Sequence, residues 1–209
     1  MPANQSSNRV FEIAPGVTNI DWQGLNLTLK SPKDDWISAV SMFTKRIGRF
    51  LRPVKVLMSS ADTNTTIYSG FAIIALDCLL IETIQSFRMG RPNLVKAYDR
   101  LSKQTFIRFL TQRPPFKTYF DETRAETFYD HFRNGILHQG EVKSSGLIRI
   151  DTSEMILPTE DDQSLVVNRW LFHEALLKEV EAYQKELIEG NDVELRQNFI
   201  KKMNEISRI

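Results

Sequence analysis

The sequence predicts an all-α protein, a compact helical bundle with one small β-hairpin inserted in it. Apolar residues recur at spacings of three and four along most of the chain, which is typical of amphipathic helices. One long segment is apolar on nearly every side, as expected of a helix in the middle of a bundle. The chain of 209 residues is long enough for one domain with a sizeable core, and its hydrophobic share of 42% excludes disordered and collagen-like proteins.

The first 30 residues are predicted to form an irregular segment, with a short edge strand where Leu25, Leu27 and Leu29 alternate with polar residues. A helical domain is predicted for the rest of the chain, 31–209. Its first helix opens at Ser31-Pro32, because proline suits the first helical turn, and Pro53 ends or kinks it.

The apolar helix is predicted at about 66–89, and Asp77, Glu82 and Gln85 are its polar exceptions. The remaining helices are predicted at about 93–111, 122–138, 164–189 and 192–207. Between the fourth and fifth helices, alternating residues at about 146–157 predict the β-hairpin, with an acidic loop after it.

Composition also predicts where the protein works. A single cysteine, Cys78, cannot form an internal disulfide, which favours a reducing compartment. The chain starts without a basic, apolar leader, and its longest apolar stretch, Phe71 to Ile81, is shorter than a membrane span and contains Asp77. We therefore expect a cytoplasmic protein without a membrane segment. With one cysteine and three histidines, no metal site is expected.

Charge is distributed unevenly, although the net charge is only +1. Residues 1–119 carry a balance of +8, and residues 120–209 carry −7. This polarity predicts either a polyanion bound to the basic half or a contact between opposite halves of two chains; an ordinary solvated helix face is the alternative for each basic run.

The segment Phe128–Val142 contains the most unusual grouping of polar residues, with Arg133, Asn134 and His138 inside six positions. Asn134 and His138 are four apart and share a face of a helix. Arg133 is five residues from His138, about 140° around an ideal α-helix, an angle that a long arginine side chain can span. Gly140 follows as a predicted helix end. Glycine-rich phosphate loops and the zinc motif H-E-x-x-H are absent from the sequence.

Arg133-Asn134-Gly135-Ile136-Leu137-His138 resembles the Arg-polar-x(3–5)-His motif of the HEPN superfamily of ribonucleases. The stretch 75–87 is similar to an earlier core helix of one bacterial HEPN-like group. This resemblance implies a helical bundle and metal-independent cleavage of RNA, in which the ribose 2′-hydroxyl attacks the adjacent phosphate and leaves a cyclic phosphate. It also implies a composite site formed by two motifs in a homodimer, and a toxin or defence role with an antitoxin protein as a further partner.

The resemblance assigns roles to the three motif residues. His138 is expected to be the general acid or base, since imidazoles change charge near neutral pH. Arg133 is expected to hold the phosphate and to stabilise the charge that grows on it, and Asn134 to orient the histidine or bind phosphate.

Two residues are expected to support the motif, and five to bind RNA. Glu82 is predicted to be a buried acid that pairs with Arg133 or His138, with an ordinary buried ion pair as the alternative. His131 is the second support residue, although a surface or interface position suits it better. The expected phosphate contacts are Arg88, Arg91, Lys96, Arg100 and Lys103.

Two other functions remain open at this point. A HEPN-like module without catalytic activity would bind nucleotides or a partner protein and give no RNA product. A purely structural helical protein would use its charge polarity only for self-association, and Arg133→Ala would then affect stability alone.

Overall fold

The computed structural model describes residues 9–90 and 98–208, with the backbone alone described at 98–101. Helix accounts for 67% of the described residues, so the mainly helical class is confirmed. The α-helices among the described residues are α1 Asn19–Leu25, α2 Lys33–Met58, α3 Thr63–Tyr68, α4 Gly70–Arg88, α5 Tyr98–Gln112, α6 Glu122–Thr127, α7 Arg169–Glu189 and α8 Val193–Ser207. The strands are β1 Glu12–Ala14, β2 Val17–Thr18, β3 Leu147–Arg149, β4 Ile156–Pro158 and β5 Leu165–Asn168.

Helix α4 lies at the centre of the bundle, in contact with α2, α5, α7 and α8. Its central position follows from its sequence, because a helix that is apolar on nearly every side must be covered on nearly every side. Aromatic rings from α2, α4, α7 and α8 pack together at the core, with Phe43 contacting Phe87, Tyr183 and Phe199 edge to face. Cys78 is fully buried in this core, and burial raises the pKa of its thiol well above the ordinary value.

The N-terminal segment is more ordered than predicted. The expected strand at Leu25–Leu29 is wrong, because α1 ends at Leu25 and a left-handed Asn26 follows it. Strands β1 and β2 instead form a small antiparallel hairpin before α1. Trp22 anchors α1 to α8, since its indole nitrogen donates to Asn204 Oδ1 at 2.7 Å.

Two helix boundaries differ from the predicted ones. Helix α2 continues to Met58, five residues beyond Pro53, so proline does not end it. The apolar segment divides into α3 and α4 at Ser69, and Asp62 caps the short first part by accepting a hydrogen bond from the Thr65 backbone N–H. Helix α5 ends at Gln112, close to its predicted end, and the first residues of that prediction, 93–97, lie outside the described residues.

The predicted hairpin at about 146–157 is wrong in its pairing. Strands β3 and β4 do not pair with each other, because β5 lies between them, parallel to β3 and antiparallel to β4. The hairpin of this sheet is β4–β5, and the acidic loop is its turn. Residues 165–168 were predicted to be helical, but Val166 and Val167 favour a strand, and Asn168 caps α7 by accepting from two backbone N–H groups.

One helix of the described chain, α4, is long and apolar enough by length and composition to cross a membrane. The mean hydropathy of an 18-residue stretch of this helix is 1.6, and 56% of that stretch is buried inside the protein. The core helix of a soluble protein passes the same test, so the finding is weak evidence for a membrane span.

Candidate active site

The motif lies on a helix that widens along its length. After α6, the same run of helix continues as π-type turns over Phe128–Arg133 and Gly135–Gln139. In such turns a backbone N–H bonds to the carbonyl five residues earlier, so residues five apart lie about one turn apart. This widening aligns Arg133 with His138, which an ideal α-helix would separate. The run begins at the cap Asp121 and ends at Gly140, whose φ of 69° suits glycine.

Arg133 is the centre of a hydrogen-bonded cluster. Its Nε and Nη2 each lie 2.8 Å from Glu82 Oε1, and its Nη1 donates to Asn134 Oδ1 at 2.9 Å. The same Nη1 lies 3.1 Å from His138 Nε2. Tyr129 supports the guanidinium from one side, with its ring centre 5.3 Å away. Four residues named from the sequence as site or support residues, Arg133, Asn134, His138 and Glu82, are therefore brought together.

Glu82 keeps the guanidinium charged. It reaches the motif from α4, and its Oε1 also accepts the Ser102 hydroxyl at 3.3 Å. Burial by itself lowers the pKa of Arg133, but the hydrogen bond and charge of Glu82 outweigh it and raise that pKa above the ordinary value. The Glu82 side chain is 22% exposed, so it is half-buried rather than buried as predicted.

The contact between Arg133 and His138 fixes the tautomer of the imidazole. A guanidinium has donors only, so Nε2 of His138 must be the acceptor. As the acceptor, Nε2 carries no proton in this contact, and the ring proton is on Nδ1. His138 is an exposed residue, so its imidazole lies at the protein surface.

A second ion pair lies beside the first. Lys103 of α5 donates to Asp130 Oδ2 at 2.8 Å, and this hydrogen bond raises the pKa of the lysine. Asn134 connects the two pairs, since its amide lies 3.5 Å from Asp130 Oδ1 while its carbonyl accepts from Arg133. Asn134 therefore positions Arg133, and the expected direct contact with the histidine is not among the contacts of the described residues.

The loop after the motif folds back on the helix. The Glu141 backbone N–H donates to the Gly135 carbonyl, and the Lys143 N–H donates to the His131 carbonyl at 3.1 Å. A Cβ at Gly135 would lie 2.4 Å from the Glu141 carbonyl oxygen, so only glycine fits there. This loop holds Lys143 close to the motif. Lys143 is a site residue that the sequence analysis missed, because the close approach of the loop depends on tertiary geometry.

An open cleft of about 480 Å³ adjoins the cluster. Its lining combines cations, amides and the exposed imidazole; the residues are Lys103, Tyr129, Asp130, Asn134, His138, Gln139 and Lys143. Within the described chain, Lys143 has no carboxylate partner. The cleft therefore places the His138 imidazole beside charged donors, an arrangement suited to an anionic substrate with an exchangeable proton.

Two of the sequence-predicted site residues lie elsewhere. Arg88 was expected to bind RNA, but its side chain is 4% exposed and pairs with Glu179 at 2.9 Å and Glu186 at 2.8 Å. It belongs to the core and cannot reach RNA phosphates. His131 faces the sheet, where its Nδ1 lies 3.0 Å from Ser164 Oγ, and it does not join the Arg133 cluster.

Of the other predicted RNA contacts, only Lys103 has a described side chain, and it lines the cleft. Arg91 and Lys96 lie outside the described residues, and Arg100 is described in its backbone only. Over the ranges 9–90 and 98–208, no group of three or more His, Cys, Asp or Glu side chains is placed to hold a metal ion.

Comparisons with known proteins find no match for this chain among protein-family models, curated proteins or solved structures. The function is therefore inferred from the chemistry of the cluster and from the motif itself.

Proposed function

We propose that this protein is an endoribonuclease of the HEPN type, which cleaves RNA without a metal ion by attack of a ribose 2′-hydroxyl. The observation that carries the proposal is the 3.1 Å contact between Arg133 Nη1 and His138 Nε2, in an exposed cleft that also holds unpaired positive charge. An anion-binding guanidinium and a neutral imidazole side by side are the two groups that this transesterification needs.

In the proposed reaction, His138 Nε2 removes the proton from the 2′-hydroxyl. The 2′-oxygen forms a bond to phosphorus, and the bond from phosphorus to the 5′-oxygen of the next nucleotide breaks. The proton that His138 has taken up is then passed to the 5′-oxygen. The products are a 2′,3′-cyclic phosphate and a free 5′-hydroxyl, and no water or metal is consumed.

Arg133 changes partner as the substrate binds. Its Nη1 contact with the imidazole is replaced by a contact with a phosphate oxygen, which frees the Nε2 lone pair for catalysis. Glu82 holds Nε and Nη2 throughout, so the guanidinium does not have to be reoriented. Lys103 and Lys143 add positive charge along the cleft, which favours a polynucleotide over a neutral ligand.

A homodimer completes the proposed site. The exposed side chain of Leu79 lies one helical turn before Glu82, and that of Phe71 lies on the same helix near its start. Exposed apolar side chains of this size on the helix that carries Glu82 suit a protein contact. A second copy related by a two-fold axis would bring its own His138 towards the same substrate.

The experiment is cleavage of single-stranded and structured RNA in the presence of EDTA. We expect wild type to cleave at least one of these RNAs and His138→Ala to lose the activity. His131→Ala is the matched control, because it removes an imidazole from the same helical run without touching the cluster, and it should retain the activity.

Two results would overturn the proposal. One is cleavage by His138→Ala at the wild-type rate. The other is tight binding of RNA or nucleotides by the wild type with no product at any protein concentration, which is the behaviour of a binding module without catalytic activity. Light scattering at micromolar concentration tests the dimer separately, and a strictly monomeric protein would contradict the composite site.

A further inference from the structure

A second cavity lies on α4 near Glu82, between α2, α4 and α8. Its volume is about 180 Å³, and its lining combines apolar side chains with Arg46, Glu82, Thr83, Ser86 and Lys202. A water molecule occupies about 30 Å³ in the liquid, so the cavity has room for several waters or one small polyatomic group.

Among the cations that line this cavity, Arg46 has no carboxylate partner in the described part of the chain. Arg46 donates from Nη1 to the Ile13 carbonyl at 2.6 Å, and Arg49 donates to the same oxygen from Nη2 at 3.2 Å. Neither arginine has a carboxylate within ion-pair distance in the described part of the chain. Burial, reinforced by the charge of Arg49, lowers the pKa of Arg46 to about 10.

Two carboxylates, one in the cavity lining and one beside it, already have cationic partners. Glu82, which lines the cavity, accepts from Arg133, and Glu205 accepts from the cavity-lining Lys202 at 2.7 Å. Each therefore offsets a different cation, and the positive charge of the two arginines remains. A bound anion would supply the missing partner.

Two hydroxyl groups also line the cavity. The Thr83 hydroxyl donates a hydrogen bond to the Leu79 carbonyl oxygen at 2.8 Å. Ser86, one helical turn further along α4, has no hydrogen-bond partner within the described ranges, so its hydroxyl is available as a donor. A guanidinium and a hydroxyl in the lining of one small cavity are typical ligands of a phosphate group.

We propose that this cavity binds one phosphate group, with Arg46 and Ser86 as its principal ligands. The inference does not depend on RNA cleavage, since it uses a different cavity and different side chains. Glu82 borders this cavity and also holds Arg133, so occupancy of the cavity and the position of Arg133 are linked through one carboxylate.

The test is titration of the full chain with inorganic phosphate by calorimetry, at constant ionic strength set with chloride. Wild type is expected to bind one phosphate per chain. Arg46→Gln should weaken binding at least about tenfold, as expected for loss of a charge-assisted hydrogen bond, and Ser86→Ala about fivefold.

Arg52→Gln is the matched control, because Arg52 is exposed on the same helix and does not line the cavity. It should bind phosphate like wild type. Absence of saturable binding by wild type would overturn the proposal, and so would equal weakening by Arg52→Gln and Arg46→Gln. Arg46→Gln also removes the hydrogen bond to the Ile13 carbonyl, so its effect could arise from a change in the fold. Ser86→Ala does not have this effect, and unchanged phosphate binding by this folded variant would by itself refute the assigned ligands.

Two arms of the experiment identify the source of the phosphate group. If it belongs to RNA, Arg46→Gln weakens binding of a 2′-O-methyl RNA oligomer, which cannot be cleaved, and inorganic phosphate competes with that oligomer. If it belongs to a small molecule, Arg46→Gln loses phosphate binding and keeps its RNA affinity. Either of these two results supports the cavity as a phosphate site. If the cavity binds no phosphate, the RNA cleavage experiment on His138 still tests the proposed function separately.

Discussion

Replacing Glu82 by Gln keeps the shape of the side chain but removes the charge that holds Arg133. In the wild type, one carboxylate oxygen receives two guanidinium N–H groups at 2.8 Å. The amide of Gln has one acceptor oxygen and adds donors that repel a guanidinium. We expect Arg133 to leave its present orientation and to move away from the position required for a substrate phosphate.

The expected size of the effect follows from the burial of the pair. Hydrogen bonds to charged groups contribute about 1.5–3 kcal/mol when shielded from water. The two side chains are 13% and 22% exposed, so solvent screens part of this, and we expect the free energy of unfolding to fall by only about 1 kcal/mol. Misplacement of Arg133 should have a larger effect on catalysis than on stability and should lower kcat by about 10- to 100-fold. Each tenfold loss corresponds to a rise of about 1.4 kcal/mol in the activation free energy.

The assay is RNA cleavage under single-turnover conditions, combined with urea unfolding of each variant. Glu186→Gln is the matched control, because Glu186 accepts a 2.8 Å hydrogen bond from Arg88 away from the cleft. It should change stability no more than Glu82→Gln and leave kcat at the wild-type value. If Glu82→Gln lost stability but cleaved RNA at the wild-type rate, Glu82 would be a structural residue and the reasoning would be refuted.

Three further predictions concern the surroundings of the cleft. Gly135→Ala forces a Cβ to within 2.4 Å of the Glu141 carbonyl, so the free energy of unfolding should fall by about 1–3 kcal/mol; an unchanged urea midpoint would contradict the close packing of this loop. Lys143→Gln should lower the slope of log KM against the logarithm of the salt concentration by about one, as expected for the loss of one phosphate contact, and should leave kcat unchanged. The same slope in both proteins would exclude a phosphate contact by Lys143. Hydrogen bonds from Thr159 and Ser145 lower the pKa of Asp161 to about 2, so its stabilisation of the β4–β5 turn is present above about pH 4 and is lost as the pH falls towards 2. The stability difference between wild type and Asp161→Asn should shrink over that range, and a constant difference would disprove it.

The central helices were predictable from the sequence because a single local signal defines each of them. The apolar content predicts α4 and the regular apolar spacing predicts α8. Helix α8 lies close to its predicted bounds, and α4 ends close to its predicted end but begins at Gly70, after the break at Ser69. The site cluster was partly predictable for a related reason. A half-buried acid such as Glu82 on a central helix needs a cationic partner, and Arg133 was one of the two named.

The remaining features depend on contacts between distant parts of the chain. Strand β5 inserts between β3 and β4, and nothing local to 146–157 shows that a third strand will separate the two. Arg88 is indistinguishable in sequence from the basic residues around it, and only the packing of α7 against α4 buries it beside Glu179. The π-type turns that align Arg133 with His138 are likewise not expected from α-helical geometry.

The most direct test of the proposed chemistry is the identity of the new RNA ends. A defined RNA oligomer is incubated with wild type in EDTA, and the fragments are weighed by mass spectrometry, with His138→Ala run in parallel. The Arg133–His138 pairing predicts fragments that carry a 2′,3′-cyclic phosphate and a 5′-hydroxyl from wild type, and intact oligomer from the variant. Fragments with a 3′-hydroxyl and a 5′-phosphate, or the same fragments from both proteins, would contradict it.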